Sequence, residues 1–571
     1  MTMNKAAIFH RPLSEYAFAI SENEYAFRLR TAKDDLKYVK FGFADRATMT
    51  PKFTFDIREM ERIFSNKYYD WYEITLKSDF ERIAYYFELN DGRETVYYYG
   101  DCFSDEWDAE RPDYFQFAFN LRVDRMEVPE WVKDAVVYNI FPDSFADGAR
   151  HISGEPSETT YKGISCRSNL GGTIKGITEN LDYIKNLGFN VVYLNPFFVA
   201  GCYHKYDLID YFHVDPCRGT DEDFKEMVDK AHSMGMRVLI DGVFNHTSSE
   251  HEFFKDVLEK GKASQYFDCY YELGSDNPKF PGHHEMPQYT CFAYVAHMPK
   301  TNTANPFLKD YFCKVGKYWI EKFDVDGWRL DVANEVDDAF LRAFRDAVKS
   351  VKKEAIVLGE IWENASHYVN GHMMEGAMNY DFRRYLMQYI AKESIDTEEF
   401  AARIENMLLR YPRQAAYSQL NLLDSHDVSR FYSVCDENLD KMEQAVLLLL
   451  TFPGMPSIFY GDEQGLTGIT EPEYRRPMIF EDKHPLFEIY KKFLALRNDN
   501  KAFGHGNFRT VIAKNGLYGF ERNFGNESIR VFINGTDAAK IPDFKGDVIL
   551  SKNLSGDELK SFGYAVIKNT K

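Results

Sequence analysis

The sequence lacks several features that define large classes of protein. No stretch of about 18 consecutive apolar residues occurs in the 571 residues, so no membrane-spanning helix is expected. The opening Met1–Ala7 leads into mixed sequence without the apolar core of a signal peptide. Positive charge is not in excess: the net charge of -20 argues against partners such as nucleic acid or an anionic membrane, which select basic surfaces.

The eight cysteines are scattered and show no CxxC spacing. This pattern predicts reduced thiols of a cytoplasmic protein rather than a disulfide framework. His283 and His284 together with Cys291 could be considered as metal ligands, but their spacing is not that of a usual zinc site. We therefore predict no metal at these residues and assign them to a loop.

Residues 1–124 predict an N-terminal β-sandwich. Short alternating runs such as Tyr25–Arg30 and Thr95–Tyr99 are typical of strands, and Asn90-Asp91-Gly92 is typical of a turn between them. Aromatic residues make up 16% of the chain, and the packing of a sandwich core explains most of them. The cluster Tyr68–Tyr72 has three interpretations: a sugar-binding platform, strand packing or a subunit interface.

From about residue 125 to residue 503 the pattern changes to strands that alternate with helices. Eight buried strands are predicted, and such alternation favours a parallel (β/α)8 barrel, or TIM barrel, over a doubly wound sheet. The third strand is followed by about sixty residues rich in Gly, Pro, His and Tyr. A loop of this length is usually functional or a small domain, so an inserted domain is predicted at about 247–305. Residues 504–571 again resemble strands and predict a C-terminal β-sandwich.

Polar clusters follow four of the predicted barrel strands, where barrel enzymes place their chemistry. These clusters are Asp241–His246, Arg329 with Asp331, Gly359–Trp362 and Asp424–Asp427. Arg329 and Asp331 are two residues apart on a strand, so their side chains point the same way, and the arginine is expected to keep the aspartate ionised. A purely structural ion pair would explain one such cluster, but four in one barrel are costly to explain because unpaired buried charges destabilise.

These four stretches resemble the signature regions of the α-amylase superfamily of glycoside hydrolases, and the match covers about residues 130–500. Met298–Asn302 resembles the MPKLN-type segment of the neopullulanase, cyclomaltodextrinase and maltogenic amylase subgroup, and Asp331–Glu335 is similar to that subgroup as well. The N-terminal domain, with Phe9–Pro12 near its start, resembles the subgroup's starch-binding-like module.

The resemblance implies a role for each residue. Asp331 resembles the nucleophile, Glu360 the general acid and base, and Asp427 the third carboxylate that binds substrate hydroxyls. The implied substrate-binding residues are His204, Tyr206, His246, Arg329, Trp362 and His426. Asp241 and Asn245 are expected to support the site. The structural alternative is strongest for Tyr206, since a loop aromatic often simply packs, and for Trp362, where wall packing and a sugar contact are equally reasonable.

Two departures from the subgroup affect these expectations. Many members bind calcium in the loop after the first strand, but here that loop reads Ala146–Arg150, and Gly171-Gly172 is followed by Thr173. Too few hard oxygen ligands remain, so no calcium is expected there and no cofactor is required; metal at Asn245 is the weaker alternative. Glu363 stands where the subgroup often has histidine, which leaves the linkage preference open.

The resemblance implies a retaining hydrolase that cleaves α-1,4 bonds in cyclodextrins and maltooligosaccharides, with pullulan as a further candidate substrate. A homodimer through the N-terminal domain is implied by the subgroup. A transglycosylase would use the same site, so the sequence does not separate the two. A non-catalytic carbohydrate-binding protein on the same scaffold should have lost a carboxylate, and all three are present.

Overall fold

The computed structural model describes residues 3–48, 54–100, 102–108, 113–282 and 284–570, so His283 lies outside the described residues. Contacts divide the chain into two compact units. One comprises Met1–Glu127, Ser394–Tyr417 and Gly506–Lys571, and the other comprises Val128–Glu393 and Ser418–His505. Within the described ranges, no helix is both long enough and apolar enough to cross a membrane.

The N-terminal part of the first unit consists of two antiparallel sheets. Its strands are β1 (Ala17–Ala19), β2 (Glu24–Ala32), β3 (Tyr38–Asp45), β4 (Asp56–Glu59), β5 (Glu61–Ser65), β6 (Tyr69–Lys77), β7 (Ile83–Asn90), β8 (Thr95–Tyr99), β9 (Cys102–Ser104) and β10 (Phe115–Phe117). One sheet has the order β1-β2-β6-β5, and the other has the order β4-β3-β7-β8-β9 with β10 beside β7. Phe27 from the first sheet packs on Phe41 and Tyr85 from the second, with ring centroids 4.6 and 4.7 Å apart. The predicted sandwich is confirmed, and its core accounts for many of the aromatic residues.

The second unit contains the parallel barrel. Its strands are β11 (Val137–Ile140), β12 (Ser157–Tyr161), β13 (Ile164–Ser168), β14 (Val191–Leu194), β15 (Phe198–Ala200), β16 (Leu208–Val214), β17 (Arg237–Gly242), β18 (Gly327–Leu330), β19 (Ile356–Gly359), β20 (Gly376–Asn379), β21 (Leu420–Leu422) and β22 (Met455–Phe459). Strands β11, β14 and β17–β22 close into a barrel, with β11 paired to β22. The predicted eight-stranded barrel is therefore confirmed.

The helices alternate with these strands. They are α1 (Pro142–Phe145), α2 (Ile174–Leu187), α3 (Asp221–Ser233), α4 (Glu252–Lys260), α5 (Pro306–Phe323), α6 (Asp338–Val351), α7 (Tyr380–Leu386), α8 (Thr397–Leu409), α9 (Arg413–Ala416), α10 (Phe431–Val434), α11 (Leu439–Thr451), α12 (Pro485–Asp499) and α13 (Ala502–His505). Local sequence explains their ends: the Thr173 side chain caps the start of α2, and Gly188 ends it at a φ of 114°. The long segment between β17 and α5 contains α4 and otherwise mostly turns.

Helices α8 and α9 belong to the first unit, although their sequence lies within the segment predicted as barrel. A buried charge network explains this grouping. Glu73 on β6 accepts a hydrogen bond of 2.7 Å from Arg28 on β2 and pairs with Arg413 on α9. Burial alone would raise the pKa of the Glu73 carboxyl, but the two guanidinium groups outweigh it and lower that pKa.

The C-terminal part of the first unit is antiparallel. Its strands are β23 (Asn507–Lys514), β24 (Leu517–Phe524), β25 (Glu527–Asn534), β26 (Ala539–Lys540), β27 (Asp547–Ser555) and β28 (Glu558–Thr570). They form one hydrogen-bonded network in which both β26 and β27 pair with the long β28. Phe532, Leu559 and Ile567 lie in its core and are fully buried.

Candidate active site

Charged side chains from neighbouring strands meet at the carboxyl end of the barrel. Strands β17, β18 and β19 are consecutive neighbours, so Asp241, Arg329 and the residue after β19, Glu360, approach one another. Arg329 is fully buried, and Nη1 of its guanidinium donates to Oδ1 of Asp241 and to Oδ1 of Asp331, both at 2.8 Å. Nη2 of Arg329 lies 2.9 Å from Oε2 of Glu360. One guanidinium therefore holds three carboxyl groups together.

The charge balance of this cluster differs from the expectation for Asp331. Burial and the neighbouring Glu360 raise the pKa of the Asp331 carboxyl well above its usual range, and Arg329 only partly opposes them. Burial raises the pKa of Asp241 as well, again against the effect of Arg329. Burial and the carboxyl groups around Asp331 therefore favour a proton on this cluster more than the single guanidinium opposes it.

Trp362 lies beside Glu360 at the mouth of the site. Its indole Nε1 donates to Oε1 of Glu360 at 3.0 Å, and its ring stacks on Tyr380 with centroids 4.2 Å apart. The Trp362 side chain is nevertheless 46% exposed. Tyr380 covers one face of the indole and fixes its orientation, and the exposed remainder is a suitable surface for a sugar ring.

Asp427 is held on its other side by His426 and Arg475. Oδ2 of Asp427 lies 2.9 Å from Nε2 of His426, and Oδ1 accepts a hydrogen bond of 3.3 Å from Nη2 of Arg475. Burial alone would raise the pKa of this carboxyl, but His426, Arg329 and Arg475 outweigh it and hold the pKa of Asp427 at about 2. Asp427 is therefore ionised at neutral pH.

A chain of amides sets the orientation of His426. Asn139 donates to Oδ1 of Asn195 at 3.1 Å, so the amide nitrogen of Asn195 faces Nδ1 of His426 at 3.0 Å. Nδ1 is then the acceptor, and Nε2, which lies 2.9 Å from Oδ2 of Asp427, carries the proton. The Tyr206 hydroxyl also reaches Nε2, and its ring stacks on the imidazole with centroids 5.5 Å apart.

The two remaining histidines are held by the backbone of Tyr206. His246 is almost fully buried, its Nε2 lies 3.1 Å from the Tyr206 carbonyl, and its ring stacks on Phe292. Burial lowers the pKa of His246 to about 3, so this ring is neutral at physiological pH. Nδ1 of His204 accepts the Tyr206 N–H at 3.0 Å. The sugar contacts assigned to His246 and His204 from the sequence stay predictions.

The positions considered for calcium are occupied by protein groups. The Lys300 ammonium contacts Oδ1 of Asn245, the residue considered as the alternative metal ligand. Burial lowers the pKa of Lys300 to about 8, which still leaves most of it charged at neutral pH. In the first barrel loop, Asp147 accepts from His151 and from the Ser153 N–H. These residues do not fit a calcium ion, and the expected lack of calcium stays a prediction.

A loose group of metal-ligand types lies near the site, formed by Cys202, His204 and Asp207, with ligand atoms within 4.8 Å of one another. Their donor chemistry opposes a metal. Both oxygens of Asp207 accept the Cys202 N–H at 3.1 Å, and His204 already accepts the Tyr206 N–H. Burial and Asp207 raise the pKa of the Cys202 thiol to about 12, so the thiolate that a metal needs is disfavoured.

Sequence reasoning did not find Asn139, Asn195 and Arg475, which complete the surroundings of His426 and Asp427. Asn139 lies in an ordinary buried strand pattern, and Arg475 is the last residue of the short 3-10 turn Glu473–Arg475. No local motif marks them. Only the order in which the barrel closes, with β11 beside β22, brings these segments to the same end of the barrel.

Comparison with known proteins agrees with this architecture. A family described as the alpha amylase catalytic domain matches residues 139–482, and one described as the alpha amylase N-terminal ig-like domain matches residues 3–120. The chain is 38% identical to a cyclomaltodextrinase of Geobacillus thermopakistaniensis (strain MAS1), over 95% of this chain and 93% of that one. It is 37% identical to neopullulanase 2 of Thermoactinomyces vulgaris, over 97% and 95%.

A solved structure titled cyclomaltodextrinase superimposes with a TM-score of 0.89 at 32% identity, covering 100% of this chain and 98% of the other. The similarity therefore spans all parts of the molecule, including the barrel end at which the carboxyl groups converge. This chain belongs to the α-amylase family of glycoside hydrolases.

Proposed function

We propose that this protein is a retaining α-glucan hydrolase that cleaves α-1,4 bonds of cyclodextrins and maltooligosaccharides. The observation that carries the proposal is the single Arg329 guanidinium that contacts both Asp331 and Glu360, with Asp427 held separately by His426 and Arg475. Two carboxyl groups about 5 Å apart are what retention requires, and one guanidinium between them suits that separation.

In the first step, an oxygen of Asp331 attacks the anomeric carbon while Glu360 gives its proton to the glycosidic oxygen. The bond from that carbon to the leaving oxygen breaks, and its electron pair stays with the leaving sugar. Arg329 takes Oδ1 of Asp331, so we assign the attack to Oδ2. In the second step Glu360 removes a proton from water, which attacks the anomeric carbon and releases Asp331.

The raised pKa of Asp331 is consistent with this mechanism. In the empty site, burial and the neighbouring Glu360 favour a proton shared between Asp331 and Glu360. We assign this proton to the first step, in which it is transferred to the glycosidic oxygen. Asp427 stays ionised, since its pKa is held at about 2, and a fixed negative charge stabilises the oxocarbenium-like sugar. We assign Asp427 to binding substrate hydroxyls and to this electrostatic role.

Transglycosylation is the second candidate activity, and the exposed indole of Trp362 favours it. Its open face lies beside the proposed acid and base, where an acceptor sugar could stack in place of water. Trp362→Ala should lower the yield of transfer products more than the rate of hydrolysis. Product analysis at high maltose concentration, with the exposed Tyr271→Ala as a matched control, measures the ratio.

The substrate range and the assembly are parts of the same proposal. The relatives named cyclomaltodextrinase and neopullulanase support small cyclic substrates and make pullulan a further candidate. A homodimer through the N-terminal domain is supported by apolar side chains exposed there, such as Leu13 at 62% and Tyr68 at 61%. A cytoplasmic location is supported by the eight cysteines, all of which are free.

The test is the initial rate on β-cyclodextrin against the rate on soluble starch at equal glucose content. Asp331→Asn is the blank, and Glu354→Gln, an exposed carboxylate outside the site, is the matched control. A large preference for cyclodextrin is expected and supports a narrow site. Equal or faster starch cleavage would contradict the substrate preference, and an Asp331→Asn variant with parent activity would contradict the mechanism.

A further inference from the structure

The residue after the proposed nucleophile has an unusual backbone. Val332 has a φ of 44° and a ψ of 46°, in the left-handed region. Among the described residues other than glycine with positive φ, it is the only β-branched one. A branched side chain crowds the backbone in this conformation, so the surrounding structure must impose it. Strain of this kind next to reacting groups suggests a function.

The left-handed turn aims two consecutive N–H groups at Glu360. The Val332 N–H donates to the side-chain oxygen Oε2 at 3.0 Å, and the Ala333 N–H donates to the Glu360 carbonyl at 3.1 Å. The Asp331 N–H, one residue earlier, donates to the Gly242 carbonyl at 2.9 Å, as in a barrel strand. The chain therefore leaves the strand direction at Val332, where it turns its amide to the second carboxyl group.

The donors around Glu360 distinguish its two oxygens. Oε2 faces the Val332 N–H at 3.0 Å and Nη2 of Arg329 at 2.9 Å, whereas Oε1 accepts only from Nε1 of Trp362 at 3.0 Å among the hydrogen bonds of the described residues. Nη2 makes no hydrogen bond there, but the positive guanidinium and the amide donor beside Oε2 both make that oxygen the poorer place for a proton. Oε1 keeps one lone pair free, and it lies on the side of the exposed indole.

We propose that the Val332 N–H is a positioning donor that fixes Oε2 of Glu360 as the accepting oxygen and leaves Oε1 to carry the proton given to the leaving sugar. This inference rests on the proposed function, since it assumes that Glu360 is the acid. During the first step the Oε1–H bond breaks, a bond forms between that proton and the glycosidic oxygen, and Oε2 keeps the Val332 N–H and the Arg329 charge beside it as negative charge develops.

The direct test removes the N–H and keeps the side chain. Replacing Val332 by its α-hydroxy acid converts the amide to an ester and leaves the isopropyl group in place. Cleavage of maltotriose should fall about tenfold, the effect of losing one hydrogen bond to a charged group. Hydrolysis of α-maltosyl fluoride should change much less, because fluoride leaves without a proton. The basic limb of kcat/KM on maltotriose should move to higher pH, because the ionised carboxylate loses a donor.

Two further variants separate this role from a structural one. The same α-hydroxy acid at Val348, inside helix α6, removes an ordinary helical N–H and should leave the ratio of the two substrates unchanged. Val332→Gly keeps the N–H and adopts positive φ freely, so its pH profile should match the parent. An ester at 332 that slows both substrates equally, or a glycine variant that shifts the pH profile as much as the ester, overturns the inference.

The Asp331→Asn variant distinguishes a failure of the proposed function from a failure of the role assigned to the Val332 N–H. The Asp331→Asn variant should lose activity on both maltotriose and α-maltosyl fluoride, because both need the nucleophile. If it keeps activity on both, the mechanism itself is wrong. If it loses both while the Val332 ester behaves as the parent, the mechanism stands and only the role of the Val332 N–H is refuted.

Discussion

Glu405 on helix α8 is a carboxyl group whose effect on stability can be worked out from its surroundings. Its side chain is 3% exposed, and Oε2 has no hydrogen-bond partner within the described part of the chain. Burial raises the pKa of Glu405 from 4.5 to about 8, with a small opposing effect of Thr510. The folded protein therefore keeps this group protonated at a pH at which the unfolded chain ionises it.

The number of protons bound in each state decides whether Glu405 raises or lowers the free energy of unfolding as pH rises. Between pH 4.5 and about 8 the folded state binds one proton more than the unfolded state, so this group makes the free energy of unfolding decrease as pH rises. The decrease is complete above about pH 8. At 1.36 kcal/mol for each pH unit, the total is about 5 kcal/mol, and about 3 kcal/mol of it is lost by pH 7.

Glu405→Gln imitates the protonated form at every pH. We expect the variant to match the parent in stability near pH 4.5 and to exceed it by about 3 kcal/mol at pH 7 and about 5 kcal/mol at pH 9. Urea unfolding, followed by tryptophan fluorescence at these three pH values, measures the difference. Glu59→Gln, at an exposed position on β4, is the control and should show no such trend. A stability gain that is the same at all three pH values would refute the reasoning.

Three further predictions concern the barrel. Asp331→Asn should raise the midpoint of thermal unfolding while kcat falls by roughly 10⁴, because a buried carboxyl of raised pKa is removed; an unchanged or lower midpoint in calorimetry contradicts the charge argument. Arg329→Lys should lower kcat by about 10²–10³ at little cost in substrate affinity, since one ammonium cannot span three carboxyl groups; steady-state kinetics decide. Added calcium or EDTA should leave the unfolding midpoint unchanged, because Lys300 already holds Asn245, and a calcium-dependent rise would contradict that.

The architecture was predictable because each barrel strand carries its own signal. Short buried runs such as Val191–Leu194 alternate with capped helices such as Ile174–Leu187, and both features are local. The grouping of Ser394–Tyr417 with the terminal sheets was not predictable. It depends on the pairing of Arg413 with Glu73, which lies 340 residues earlier in the chain, and no local pattern reports such a contact.

The candidate site shows the same division. Asp331, Glu360 and Asp427 stand in short motifs at strand ends, so the sequence could place them together. The raised pKa of Asp331 could not be predicted from these motifs, because it depends on the burial of the carboxyl group and on how many carboxyl groups share Arg329. The left-handed backbone of Val332 could not be predicted either, because a valine after a strand carries no sequence signal for positive φ.

The sharing of one arginine among three carboxyl groups has a consequence for inhibition. With Asp427 nearby, negative groups outnumber positive ones around the position of the anomeric carbon. A site with this imbalance favours a ligand that brings its own positive charge. Sugar analogues with a basic nitrogen near the anomeric position should therefore bind more tightly than their neutral counterparts, and the advantage should shrink as pH falls and the cluster takes up protons.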